Sequence, residues 1–234
     1  MLVQVARPAG LPLFSFPVGR SDGAMRFLCV SDIHGHARAL AAVIEEANAF
    51  GWDQLVACGD LVFPGPEPLS TWKLLVGNRA LCVQGLSDRA LSQIDPNKLS
   101  ATTEHERERI ERFREVQVEL GELIITRLGK LPTIADLPIE SGHTLLIVHG
   151  SPADPSEPFS ADMSDEEMLH LLGDHPGDLI VCGGSHVPFD REVGDVRIIN
   201  VGSVGDAPGG AHAHAAILTT GPSGVSVQQL LVEL

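Results

Sequence analysis

Cations are scarce in this 234-residue chain: 16 lysines and arginines stand against 31 aspartates and glutamates, a formal charge of −15 with histidine neutral. A surface that negative repels phosphate backbones and anionic membranes. No basic stripe interrupts it, so a nucleic-acid partner is not expected and a nuclease is disfavoured. A small anionic substrate stays open, because a bound metal ion dominates the field around itself. Long apolar runs are missing too. None approaches the roughly 20 residues that a membrane-spanning helix needs, and no membrane partner is expected. Cysteine is sparse: Cys29, Cys58, Cys82 and Cys182 each sit inside an apolar run, and none forms a C-x-x-C pair. They read as core thiols in neighbouring strands, not as a disulfide frame or a zinc knot. The first 24 residues lack a basic start and are broken by Pro8, Pro12 and Pro17, a poor match to a signal peptide. An edge strand, an arm or a start of translation at Met25 all fit this extension, and the expected location is the cytoplasm.

What is present suffices for a sizeable core. The chain is 44% hydrophobic, and its mean hydropathy is +0.13. With no internal repeat and no dividing linker, residues 25–234 read as one domain. Apolar runs at 27–31, 54–58 and 81–83 alternate with helical spacing at 38–48 and 69–76, which predicts a βαβαβ unit and a mainly parallel sheet. Between 102 and 127, Glu and Arg recur three or four apart. This predicts an amphipathic helix or helix pair with a wet outer face, and makes 98–130 a helical insertion or cap. After Pro132 strands become dense. A hairpin is expected at 133–139 and 143–148, and a helix at 165–172 with Ser164 and Glu167 as a capping box. Further strands follow at 179–182, 196–201, 215–219 and 225–232.

The carboxylates and imidazoles fall where these strands end. Asp32-Ile-His34 follows the first, Gly59-Asp60 the second, and Asp88 lies just beyond Gly85 after the third. His149-Gly150 closes the hairpin, and Gly183-Gly-Ser-His186 closes a later strand. Ligands of open α/β sheets bind outside the carboxyl ends of strands. Each pair taken alone has an ordinary turn reading; five at successive strand ends are not explained by turn chemistry. Two carboxylates with imidazoles suit a divalent Mn, Fe or Zn ion better than Ca or Mg.

The ordered segments SDIHGH, CGDLV, VQGLSD, LLIVHGSP, CGGSHVPF and NVGSVG resemble the calcineurin-like metallophosphoesterase superfamily, whose pattern is D-x-H, G-D, G-N-H/C-D, H and G-H-x-H. The likeness is nearest to its small bacterial phosphodiesterase and ApaH-like branches and runs from Phe27 to about Leu218. It implies a four-layer αββα sandwich, two mixed sheets flanked by helices, with two metals over the sheet edges. By position, Asp32, His34, Asp60 and His186 match the first metal's ligands. Asp60 would bridge to the second, which His149 also holds. Asp88 matches the residue that orients the catalytic histidine. The chain departs from the pattern at Leu86, where asparagine is usual, and at Gly184, where a histidine is usual. Both changes remove ligands of the second ion, which predicts one tight site and a weak or empty second one. Ser87 stands where His or Cys would protonate the leaving group. The resemblance thus implies a phosphoesterase of small phosphomonoesters, phosphodiesters or nucleotides working through a metal-bound hydroxide. The alternative is a phosphoesterase fold that no longer turns over and keeps one structural metal. Arg89, Arg38 and His36 follow the motif turns as candidates to hold substrate, with plain surface readings beside them. His212 and His214 fall in a variable turn and read as surface histidines. The oligomeric state stays open.

Overall fold

The computed structural model describes residues 24–139, 141–174, 177–222 and 224–234; most of the N-terminal extension, residues 1–23, lies outside the described residues. In chain order the elements are β1 (Arg26–Val30), α1 (Ala37–Ala47), β2 (Gln54–Ala57), α2 (Pro68–Gly77), β3 (Leu81–Cys82), α3 (Leu86–Gln93), α4 (Glu104–Leu128), β4 (Ile134–Pro138), β5 (Thr144–Val148), α5 (Asp165–Leu172), β6 (Leu179–Cys182), β7 (Phe189–Val193), β8 (Val196–Asn200), β9 (His212–Gly221) and β10 (Gly224–Glu233). The strands form two five-stranded mixed sheets, ordered β10-β9-β1-β2-β3 and β4-β5-β6-β8-β7. In the first, β1, β2 and β3 run parallel; in the second, β5, β6 and β8 do.

Successive residues of a strand point to opposite faces, so a strand covered on both sides reads as an unbroken apolar run. In β1, Phe27 and Cys29 face the second sheet, whereas Leu28 and Val30 pack under α1, α2 and α4. In β5 and β6, Leu145, Ile147, Leu179 and Val181 join the inter-sheet core; Leu146, Val148, Ile180 and Cys182 pack with Met168, Leu171 and Leu172 of α5. The result is four layers, helices outside and sheets inside, as the motif order implied. All four cysteines are free; Cys29, Cys58 and Cys182 are buried, and burial pushes their thiols up. Among the described residues no helix is long and apolar enough to cross a membrane.

Two elements escape the hydrophobic pattern. α3 buries only Asp88 and Leu91, too little to register as a periodic stripe. β7, at the sheet edge, reads Phe-Asp-Arg-Glu-Val; charge suits an edge strand and hides its alternation. The charged stretch is two helical segments joined at Gly121 (φ 72°, ψ 164°), and its face is not merely wet. Phe113, Val116, Leu120 and Leu128 are buried, and the Phe113 ring meets Phe63 edge-on at 5.4 Å. The expected capping box at Ser164 is present: the Glu167 N–H donates to Ser164 Oγ at 3.3 Å, and the Ser164 N–H to Glu167 Oε2 at 2.7 Å.

Candidate metal centre

The parallel strands of both sheets end at one edge of the sandwich, and the backbone ladder of the first sheet continues past its last residues. The Asp32 N–H donates to Gly59 O at 3.1 Å, the His34 N–H to Asp60 O at 2.9 Å and the Gly35 N–H to Leu61 O at 3.0 Å. These bonds hold an uncommon conformation. Asp32 (φ 50°), His34 (φ 51°), Asp60 (φ 52°) and His186 (φ 62°) all occupy the left-handed region; among the described non-glycine residues only Arg79 joins them. Each such residue costs about 1–3 kcal/mol, a cost that persists where the surroundings over-determine the backbone. Strain at four residues matched to one metal's ligands marks a site.

The side chains then converge. His34 Nδ1 lies 2.7 Å from Phe63 O, His149 Nδ1 2.9 Å from Cys58 O and His186 Nδ1 3.1 Å from Asp206 O. A carbonyl can only accept, so each Nδ1 carries a hydrogen, and in the neutral ring each Nε2 offers a lone pair. Those three Nε2 atoms stand 3.7, 4.0 and 3.1 Å from Asp32 Oδ1, in the order His34, His149, His186. Asp32 Oδ1 is buried without a hydrogen-bond partner, while Oδ2 accepts from the Gly184 N–H at 2.9 Å. His34 Nε2 and His186 Nε2 are 3.4 Å apart, and His149 Nε2 is 3.6 Å from Asp60 Oδ2. Buried lone pairs facing one another repel unless a proton or a metal ion lies among them. The donor set of two carboxylates and three imidazoles therefore fits a divalent ion. It divides into two overlapping groups, Asp32–His34–His186 and Asp32–Asp60–His149, each with ligand atoms within 4.8 Å of one another.

The electrostatics agree with the geometry. Burial alone would raise Asp32, but His186, His149 and the Gly184 N–H outweigh it and hold the carboxyl below the usual carboxylate range. The short contact with Asp32 holds His186 above the ordinary histidine range against the effect of burial. Asp88 differs. Burial first, and then the neighbouring Asp60 carboxylate, push it up to about 7. Its oxygens accept from the Leu61 and Gly85 N–H groups, both at 3.0 Å. The partners of Asp88 are backbone, not an imidazole, and it ties the turn after Asp60 to the start of α3.

Other sequence-derived candidates lie around this cluster. The Ser87 N–H donates to Asp60 Oδ1 at 2.8 Å, and its hydroxyl is buried without a partner. The Leu86 side chain is 47% exposed and turned to solvent. Arg89 is exposed and donates along its own helix to Gln93 Oε1 at 3.3 Å. Arg38 is exposed beside Glu67. His36 is half-buried between the turns at Gly65 and Gly205, and burial followed by the nearby His34 lowers it.

Three supports of the site had no sequence signal of their own. Arg112 of α4 donates to Pro64 O at 2.9 Å and to Gly65 O, steadying the turn whose Phe63 carbonyl orients His34. Asp206 lies past the NVGSVG segment, with a carboxylate oxygen 3.2 Å from His186 Nδ1. His214 corrects an expectation: it is buried in β9, which begins at residue 212 rather than 215, and its backbone N–H donates to Ser203 O at 2.8 Å in the turn after β8. The short, small-residue run preceding β9 disguised that start.

Comparison with known proteins follows the same lines. The model of the calcineurin-like phosphoesterase superfamily domain matches residues 25–222. No curated protein matches the chain in sequence. Among solved structures, the hypothetical protein PH1004 of Pyrococcus horikoshii OT3 is similar with a TM-score of 0.73 at 20% identity, over 89% of this chain and 88% of that one. A metallophosphoesterase from Sphaerobacter thermophilus is similar with a TM-score of 0.67 at 24% identity, over 89% of each chain. An archaeal phosphodiesterase gives a TM-score of 0.51 at 18% identity, over 89% of this chain and all 100% of that one. These likenesses are of fold, and the domain match covers every strand but β10 and every convergent ligand residue. The chain belongs to the calcineurin-like phosphoesterase superfamily, hydrolases of phosphoric ester bonds.

Proposed function

We propose that this protein is a divalent-metal-dependent phosphoesterase of small phosphomonoesters, phosphodiesters or nucleotides, working with one tightly held Mn, Fe or Zn ion and a weak or empty second position. The observation that carries the reading is Asp32 Oδ1, buried without a hydrogen-bond partner and faced by the Nε2 atoms of three imidazoles whose Nδ1 atoms are turned to backbone carbonyls. Asp32, His34, Asp60 and His186 would hold the first ion; His149, with Asp60 and the shared Asp32, would supply what remains of the second. A bound divalent ion supplies Lewis acidity toward a phosphoryl oxygen and a water whose pKa falls to about 7. The chain's own part is to fix the ligands' lone pairs before metal or substrate arrives. Asp88 holds the Asp60 turn in place, and His36 and Arg89 remain the candidates to meet substrate.

Two features support a depleted second position. The Leu86 side chain is turned to solvent, and it has no ligand atom. At Gly184 (φ +76°) an added Cβ would lie 2.9 Å from Pro158 Cβ and 3.3 Å from His149 O, so the neighbouring loop fills the space a histidine would need. Ser87 cannot match an imidazole as an acid near neutral pH, which forfeits up to roughly 10²–10⁴-fold where the leaving group needs a proton. Diesters with good leaving groups, such as nitrophenyl esters, are therefore the favoured test substrates.

Metal analysis of protein purified without added metal is expected to give one ion per chain; two at full occupancy would overturn the depleted second position. Hydrolysis of bis-nitrophenyl phosphate with added Mn²⁺ is expected from the intact chain and not from Asp60→Asn. Equal background rates from both would instead favour a metal-holding scaffold that does not turn over.

A further inference from the structure

We propose that Asp206 is a positioning residue for the metal ligand His186, a role that rests on reading Asp32, His34 and His186 as ligands of one cation. The His186 Nδ1–H is shared between two oxygens of Asp206, the backbone carbonyl at 3.1 Å and carboxylate Oδ2 at 3.2 Å. His34 and His149 have only a carbonyl at the same place. A carboxylate behind a ligating imidazole fixes the ring and strengthens the opposite nitrogen as a donor. That opposite nitrogen, Nε2, is the atom 3.1 Å from Asp32 Oδ1.

The placement of Asp206 is built into the turn after β8. The Asp206 N–H donates to Ser203 Oγ at 2.8 Å, and the buried Ser203 hydroxyl donates to Asp32 O at 2.9 Å. The Gly205 N–H reaches the same Asp32 carbonyl at 2.9 Å, and the Val204 N–H reaches Ser31 O at 3.0 Å. A Cβ on Gly205 would lie 2.2 Å from Ile33 O, so glycine alone permits this approach. One four-residue turn thus grips the strained backbone of Asp32 and, through Asp206, the ring of His186. The two ligands, 154 positions apart in sequence numbering, are set against each other by a segment that ligates nothing itself.

The test is Zn²⁺ affinity of the full chain, stripped of metal and titrated against a chromophoric chelator, for the wild type and for Asp206→Ala, Asp206→Asn and Asp206→Glu. Ala and Asn are expected to weaken binding roughly tenfold, the lower end of what such partners contribute. Glu, which keeps the charge, is expected to recover part of that loss. The Asp206 side chain is 71% exposed, so thermal unfolding of the metal-free variants should match the wild type. Affinity of Asp206→Ala within twofold of wild type would overturn the role. So would a loss of affinity that tracks a loss of metal-free stability. A wild type that binds no Zn²⁺ or Mn²⁺ would overturn this role and the metal site together, whereas tight binding without hydrolysis would count only against the proposed activity.

Discussion

The polar cluster at the sheet edge has two unlike halves. Around Asp32, His34 and His186, every side chain is oriented by a backbone group, and the backbone itself is held in a strained conformation by hydrogen bonds from neighbouring turns. Around Asp60 and His149, Leu86 faces solvent, Ser87 has an unpartnered hydroxyl, and a Cβ on Gly184 would meet Pro158. Under the proposed reading, a lost ligand is not just a missing atom. Where packing has filled the space, as at Gly184, the change is built into the fold.

Three experiments would break or sharpen that contrast. The largest effect is expected from Asp32→Asn, which alters the one carboxylate common to both ligand groups. It should abolish tight metal binding, a fall beyond the roughly 10–100-fold lost with a supporting partner, and bring hydrolysis to background. Measured metal content near that of the wild type would erase the distinction between the halves. Next, Ser87→His should raise hydrolysis of diesters with poor leaving groups by up to about 100-fold, the low end for a positioned acid. Nitrophenyl esters should gain far less, and equal gains on both would show that protonation is not what the site lacks. Last, Gly184→His should not restore a second ion. Overpacking against Pro158 should instead lower stability by about 1–3 kcal/mol in denaturant unfolding. A second equivalent of bound metal with unchanged stability would show that the loop gives way.

Legibility from sequence followed a physical pattern. Strands covered on both faces announced themselves as apolar runs, so β1, β2, β5, β6 and β8 could be placed, and with them the polar residues just beyond their ends. Capping at Ser164 was readable because it depends on residues three apart. α3 and β7 were not, since one is short with a single buried apolar residue and the other carries charge at a sheet edge. His214 was misplaced at the surface, as its burial depends on where β9 lies against the turn after β8. Asp206 and Arg112 gave no signal because their partners are atoms of distant turns, and nothing local distinguishes them from other charged residues.

The order of motifs by itself determined the family, the layered architecture and the identities of the convergent side chains, because each is written in residue type and spacing along one strand end. Only the tertiary structure decided which nitrogen of each histidine faces the cluster, that Asp32 is common to both ligand groups and that Pro158 stands against Gly184. Those outcomes are set by carbonyls and side chains brought from far along the chain, and a hydrogen bond or a collision between remote segments leaves no mark in the local pattern of residues.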